Sequence, residues 1–396
     1  MRALVAIDLP GGAVFVDALR RAWDDGDAIL PVDQRLPGPA RAALLAAARP
    51  HTVVTSATTK ARRNTGETRA DQVERTVLDA DAPPVADGDA VVVASSGTTG
   101  SPKLLVHTHG SIAAHAAAVH AHLGVDPSRD RWLACLPPAH LGGLGVVLRA
   151  VVTGTPLDVW PAFDADRVAR APADLGTTLT SLVPTALDRT DTSAYRWVVL
   201  GGAADPHDRA ANVVRTYGLT ETGGGVVYDG RPLPGIELRV GADGQIAVRG
   251  PMLARGRRST DGDVRPITDA DGWFATGDLG DHEPDGRLVV HGRADDLIVT
   301  GGENVWPAPV EAALSTHPAV AQVVVIGRPD PEWGQGVIAV VVPADPQEPP
   351  TLDDLRAHVR TTLPAHAAPT LLELVDRLPR TVLGKVRRPP PGPRPT

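Results

Sequence analysis

Short apolar runs alternate with helix-length stretches from the first residues onward: LVAI, VDALRRAW, AILPV, ARAALLAAA and TVVTS all fall within residues 1–88. Apolar runs of a strand's length bounded by turn residues mark strands buried on both faces, and the helical stretches between them fit crossovers over a parallel sheet. The pattern predicts an α/β beginning. It continues from residue 89 with strands at AVVVAS, WLACLP, PLDVW, TLTSLVP and RWVVLGG, each ending in small or turn residues, the end at which such sheets bind ligands. Around 235–292 the runs shorten to IELRV, QIAVRG and RLVVHG with Asp-Gly and Gly turns between them, which predicts a β-rich subdomain. After Gly292-Arg293-Ala294-Asp295-Asp296 the pattern resets into a strand LIVT, a helix from Pro307 to about Leu314, strands AQVVVIG and VIAVVVP, a helix TLDDLRAHVRTTL and a strand LLELV. The reading is therefore a large N-terminal α/β domain over 1–292, with parallel sheets and a β-rich subdomain, a joint at 293–296, and a small α+β domain over 297–396. Its Pro-rich, charged end from about 387 is expected to be disordered.

Composition narrows the class. At 396 residues and roughly 150 residues per domain, two or three domains and a cleft between lobes are expected. Apolar residues at 42% and charged residues at 22% describe a soluble globular chain. Lys+Arg 39 against Asp+Glu 47 gives a net charge of -8, and no basic stretch offers a footprint for a phosphate backbone, so nucleic acid is not an expected partner. Asp8 and Pro10 interrupt what a signal peptide needs unbroken, and no window approaches the ~18 apolar residues of a membrane helix. A cytoplasmic protein without membrane insertion is expected. The single cysteine, Cys135, cannot make an internal disulfide, and its apolar strand predicts a buried, inert thiol. Histidines 107, 109, 115, 120 and 122 crowd one segment but lack an i, i+4 pair or an H-E-x-x-H arrangement, so no metal site is expected of them.

The chemistry begins at VVVASSGTTGSPK, residues 91–103, where an apolar strand runs into Ser95, Ser96, Gly97, Thr98, Thr99, Gly100, Ser101, Pro102 and Lys103. Small hydroxyl residues and glycines let backbone N–H groups close around phosphate oxygens, and Lys103 adds a cation. Ser101 and Pro102 separate the second glycine from the lysine, so this is not a Walker A loop. Downstream stand YGLTE at 217–221, TGD at 276–278, GRADDLIVTGGENVWPAPVE at 292–311, and Gly384-Lys385 in PRTVLGKVRR. In this order and spacing the motifs resemble those of the AMP-forming adenylating enzymes, the superfamily of acyl-CoA synthetases, luciferases and peptide-synthetase adenylation domains. The resemblance covers about residues 90–390.

A carboxylate attacking the α-phosphate of ATP is anion against anion, so the site must neutralise charge and align the attack. The resemblance implies that residues 95–103 hold the β- and γ-phosphates, that Glu221 holds Mg²⁺ with Thr220 near the α-phosphate, and that Tyr217 stacks on adenine. It implies that Gly201, Gly202 and Ala203 form the adenine-side loop and that Asp278 and Arg293 grip the ribose. Lys385 would reach the charge developing between carboxylate and α-phosphate. Asp295 would be the hinge on which the small, mobile C-terminal domain turns after adenylation, and Gly302 would admit the thiol of CoA, because a side chain there obstructs its path. The expected co-substrates are a small-molecule carboxylic acid, ATP and CoA, with Mg²⁺; homodimers are common among such enzymes.

The acid pocket is less legible. His140 in LPPAHLGGLG, Ser181 and Pro184 in TSLVPTAL, and Gly223 and Gly224 after YGLTET stand where the superfamily lines its acyl site. The short chain and these two phrases resemble most the o-succinylbenzoate-CoA ligases of menaquinone synthesis in their short actinobacterial form. A ligase for another aryl or medium-chain acid, a carrier-protein-loading enzyme and a non-catalytic nucleotide-binding protein are the alternatives. Three departures stand out: only 14 residues separate Gly202 from Tyr217, Gln245 replaces a usual Glu, and Pro309 a common acid.

Overall fold

The computed structural model describes residues 2–56, 73–95, 102–202 and 209–378, and every count and absence below refers to those residues. They fall into two compact units, Met1–Leu238 with Val248–Phe274, and Arg239–Ala247 with Ala275–Thr396.

The first unit holds two sheets. The larger has eight strands in the order Val264–Arg265, Gly256–Arg258, Lys103–Thr108, Asp89–Ser95, Ala28–Pro31, Leu4–Asp8, Thr52–Ser56, Val73–Val77. Its inner strands from Asp89–Ser95 to Thr52–Ser56 are parallel, and nearly every side chain of Leu4–Asp8, Ala28–Pro31 and Asp89–Ser95 is buried, as strands covered on both faces require. Helix Ala13–Asp24 packs Phe15, Val16, Leu19 and Ala22 inward at helical spacing. The outer strands are antiparallel on both sides, so the parallel pairing expected from the apolar rhythm holds for the inner strands.

The second sheet has seven strands, in the order Arg231–Pro232, Gly224–Tyr228, Val213–Leu219, Trp197–Leu200, Leu179–Leu182, Trp132–Ala134, Leu157–Val159. Two helices frame the site. His109–Leu123 starts at Thr108, whose Oγ1 accepts from Ser111 N at 3.0 Å while Thr108 N donates to Ser111 Oγ at 3.0 Å, a reciprocal cap. Leu141–Thr153 buries residues 143–150 without interruption, Arg149 included.

In the second unit, Phe274–His282 and Leu288–Arg293 form an antiparallel pair within a four-stranded sheet. A further sheet joins Glu303–Val305, Ile298–Thr300, Gly334–Pro343 and Val320–Asp330, with Leu371–Leu374 parallel to Gly334–Pro343. Helices Pro307–Ser315 and Leu352–Val359 bury Val310, Leu314, Leu355 and Val359 with Val325, Val337 and Val341 in one core. Leu288–Arg293, Ile298–Thr300, Val320–Asp330, Gly334–Pro343, Leu371–Leu374 and both helices match apolar runs or helical stretches legible in the sequence, whereas Phe274–His282 and Glu303–Val305 do not.

Candidate active site

The YGLTE segment folds as a strand, Val213–Leu219, followed by a single 3₁₀ turn, Thr220–Thr222, and a returning antiparallel strand, Gly224–Tyr228. The return is too close for side chains: a Cβ on Gly218 would lie 1.9 Å from Gly224 O, so the motif's glycine is a packing requirement. Thr222 fixes the turn, accepting from Leu219 N at 2.8 Å and donating to Gly224 O at 2.7 Å. Glu221 rides on this turn with its backbone carbonyl accepting from Ala254 N at 2.8 Å. The Glu221 side chain is half-buried, and among the described residues its carboxylate has no hydrogen-bonding or ionic partner. A carboxylate so placed fits a divalent cation carried in with phosphates.

Beneath the turn lies a cavity lined by His107, Ser111, Ile112, His115, Leu141, Gly145, Arg149 and Gly223, among others. His107, from strand Lys103–Thr108, places Nε2 2.8 Å from Thr220 O, and His115, from helix His109–Leu123, places Nε2 3.0 Å from Gly225 O. Burial pushes His107 down to about 4; burial first, then the charge of Arg149, pushes His115 down to about 3. Both rings are neutral at neutral pH. Arg149 is 5% exposed. Its guanidinium lies 4.8 Å from the Trp132 ring centroid, its Nε has no hydrogen-bond partner, and among the described residues no carboxylate pairs with it. A buried cation without an anion is costly, and here it faces a cavity.

Two family models cover most of the chain: the AMP-binding enzyme model matches residues 3–256 and the AMP-binding enzyme C-terminal domain model matches residues 309–385. The chain belongs to the AMP-binding enzymes. Among curated relatives, a probable 2-succinylbenzoate–CoA ligase of Mycobacterium tuberculosis is 46% identical over 325 residues, covering 76% of this chain and 83% of that protein. A 2-succinylbenzoate–CoA ligase of Bacillus licheniformis is 33% identical over 336 residues, covering 76% and 69%. The solved o-succinylbenzoate CoA synthetase of Bacillus subtilis, in complex with the acyl-adenylate intermediate OSB-AMP, superposes with a TM-score of 0.81 at 26% identity over 97% of this chain and 86% of that one. The same protein with ATP and magnesium ion gives 0.79 at 25% identity, over 97% and 88%.

Within this AMP-binding enzyme, Tyr217, Thr220, Glu221, Gly223 and Gly224 lie on one hairpin, and Gly201 and Gly202 follow the neighbouring strand Trp197–Leu200. Ser95 and Lys103 are register partners on adjacent antiparallel strands. Ser96, Gly97, Thr98, Thr99, Gly100, Ala203 and Lys385 lie outside the described residues. Gly223 lines the cavity; His140, Ser181 and Pro184 do not. The Ser181 hydroxyl donates to Val199 O at 3.1 Å and is buried, and Pro184 opens the short helix Pro184–Leu187. His140 precedes helix Leu141–Thr153 and places Nε2 2.8 Å from Asp33 Oδ2. Burial opposes the Asp33 charge, but the hydrogen bonds from His140 and Arg35 outweigh it and hold this carboxyl far below the usual range.

In the second unit, Asp278 and Arg293 are cross-strand neighbours, with Arg293 Nη1 2.9 Å from Thr276 O and 3.3 Å from Asp278 Oδ1. Asp295 is exposed on the 3₁₀ turn Ala294–Asp296. Gly302 has φ +84, and a Cβ there would meet nothing within 4 Å. The sequence reading passed over Arg149, Asp33 and the site roles of His107 and His115. Arg149 had a signal, being one charge in the apolar run LGGLGVVLRAVV; Asp33 had none, since its partner is 107 residues away. The crowded histidines take separate partners: Thr220 O for His107, Gly225 O for His115, and Trp132 Nε1–H for His120. Cys135 is fully buried, and burial pushes its thiol up to about 11.

Proposed function

We propose that this AMP-binding enzyme is a cytoplasmic 2-succinylbenzoate–CoA ligase serving menaquinone synthesis. One carboxylate of the acid attacks the α-phosphate of ATP, forming the acyl-adenylate and expelling pyrophosphate. The thiolate of CoA then attacks the acyl carbonyl, AMP leaves, and the thiol proton passes to solvent. The names of the curated relatives support the substrate class, and the observation on this chain that carries it is Arg149. 2-Succinylbenzoate bears two carboxylates, of which only one is activated. The other must enter the pocket charged, and a buried guanidinium with no anion of its own beside Gly223 is the group that can receive it.

The remaining roles follow the resemblance. Residues 95–103 cradle the β- and γ-phosphates, Tyr217 with Gly201, Gly202 and Ala203 bounds adenine, and Asp278 with Arg293 holds the ribose. Bound Mg²⁺ supplies neutralisation of phosphate charge, and Glu221 is the residue that would hold it. Thr220 stands by the α-phosphate and Lys385 stabilises the charge built up during adenylation. The part of the chain beyond the hinge at Asp295 then reorients, so that Gly302 opens a path for the CoA thiol. A homodimer is the proposed assembly.

The test is AMP release dependent on ATP, Mg²⁺ and CoA across a panel of acids. Selective turnover of 2-succinylbenzoate over benzoates and fatty acids is the expected result. Turnover of another acid alone, or adenylation with transfer only to a carrier protein, overturns the assignment.

A further inference from the structure

The hairpin that carries Glu221 is tied within itself by Thr222, which accepts from Leu219 N and donates to Gly224 O. Gly223 and Gly224 have φ +73 and +132, conformations that glycine adopts without strain, and the turn between the strands is a single 3₁₀ turn. Its backbone is also held from outside. Thr220 O lies 2.8 Å from His107 Nε2 and also accepts from Gly223 N at 3.2 Å; Glu221 O accepts from Ala254 N at 2.8 Å; Gly225 O lies 3.0 Å from His115 Nε2. The two rings come from different elements, strand Lys103–Thr108 and helix His109–Leu123, and their contacts bracket Glu221 on either side.

A carbonyl oxygen only accepts, so each contacting Nε2 must carry the proton. That fixes the tautomer of both neutral rings and leaves each Nδ1 as a bare acceptor. The rings also rest against the glycines: a Cβ on Gly223 would lie 3.5 Å from His107 Cε1 and 3.6 Å from its Nδ1, and a Cβ on Gly224 would lie 3.2 Å from His115 Cε1 and Nε2. A side chain at 224 would crowd the His115 ring, whereas one at 223 would meet His107 at ordinary contact distance.

We propose that His107 and His115 are positioning residues for adenylation, donating from Nε2 to Thr220 O and Gly225 O so that the turn presents Glu221 in one place. The inference rests on the reading that this turn serves the adenylating half-reaction. An uncharged donor suits His115, because a cation there would be repelled by Arg149.

The experiment compares His107→Leu, which fills the space without a donor, with His107→Gln, whose side-chain N–H can reach the same carbonyl. Acid-dependent pyrophosphate release and thioester formation from supplied acyl-AMP are measured separately, with a Mg²⁺ titration and a thermal melt of each variant. His107→Leu is expected to lose about tenfold or more in kcat for adenylation and to need several-fold more Mg²⁺, while thioester formation changes less than about threefold. His107→Gln is expected to recover most of the loss. Full adenylation by the folded Leu variant, or equal losses in Leu and Gln, overturns the proposal in favour of simple packing.

Should the Leu variant not fold, histidine-selective ¹⁵N spectra of the wild-type enzyme decide, with His107→Gln and His115→Gln assigning the signals. Nε2–H tautomers at both positions are expected, and an Nδ1–H tautomer at either overturns the proposal. A wild-type enzyme that adenylates no acid would sink the functional reading instead, and the tautomers would still be read.

Discussion

On the proposed reading, Arg149 is worth more to the substrate than to the fold. Its guanidinium is buried over Trp132 with no carboxylate partner among the described residues, and removing an unpaired buried charge relieves its desolvation cost. Arg149→Met should therefore melt at the wild-type temperature or above it, whereas an ordinary core truncation would lower Tm. The histidines make the complementary case. His107, His115 and His120 titrate at about 4, about 3 and about 4 in the folded protein, in each case chiefly because burial disfavours the charged ring, against about 6.5 in an unfolded chain. Between those values the unfolded chain binds protons that the folded one does not, so stability is complete above about pH 6.5 and falls as pH drops towards 4. Urea midpoints measured across this window should fall with acid, and His107→Gln should flatten the slope; a flat wild-type profile would contradict the buried neutral state. The sequence displayed these histidines as a cluster, but only the fold gives each its own partner.

At the scale of the element, the hairpin over 213–228 shows why a motif can be legible while its cause is not. YGLTE is plain in the sequence, yet nothing there reveals that the strands approach until a Cβ on Gly218 would fall 1.9 Å from Gly224 O. Gly218→Ala should force the strands apart, costing about 1–3 kcal/mol, the range of overpacking, and should impair adenylation at temperatures where the variant is still folded. Chemical denaturation and pyrophosphate release check the two halves of that statement. Strands buried on both faces, such as Leu4–Asp8 and Ala28–Pro31, were readable because uninterrupted apolar runs leave little choice of structure. Val73–Val77 was missed because the sheet's outermost strand, VERTV, keeps most of its side chains exposed. Lys103–Thr108 was hidden by the glycine-rich loop before it, which drew the reading to phosphate chemistry.

For the whole molecule, the apolar pattern gave both the large α/β part and the small C-terminal core of Val310, Leu314, Leu355 and Val359. What it could not supply was long-range pairing, such as Asp33 with His140. The two-step reading makes a prediction that only the full chain can answer. Lys385→Ala should abolish acyl-AMP formation yet leave thioester formation from supplied acyl-AMP largely intact, and Asp295→Pro should do the reverse; equal loss of both half-reactions in either variant would contradict the division of labour.

The central claim is that a buried cation selects a dicarboxylate, and one comparison tests it most directly. The kcat/KM of wild-type enzyme and Arg149→Met is measured for 2-succinylbenzoate and for its two monocarboxylate analogues, 4-oxo-4-phenylbutanoate and 2-butanoylbenzoate. The analogue that still reacts identifies the carboxylate that is activated. The account predicts that wild-type enzyme prefers 2-succinylbenzoate to that analogue by about 10²-fold, the scale of a buried charge pair, and that Arg149→Met erases most of the preference. A preference of the same size in both proteins would place the recognition of the second carboxylate elsewhere.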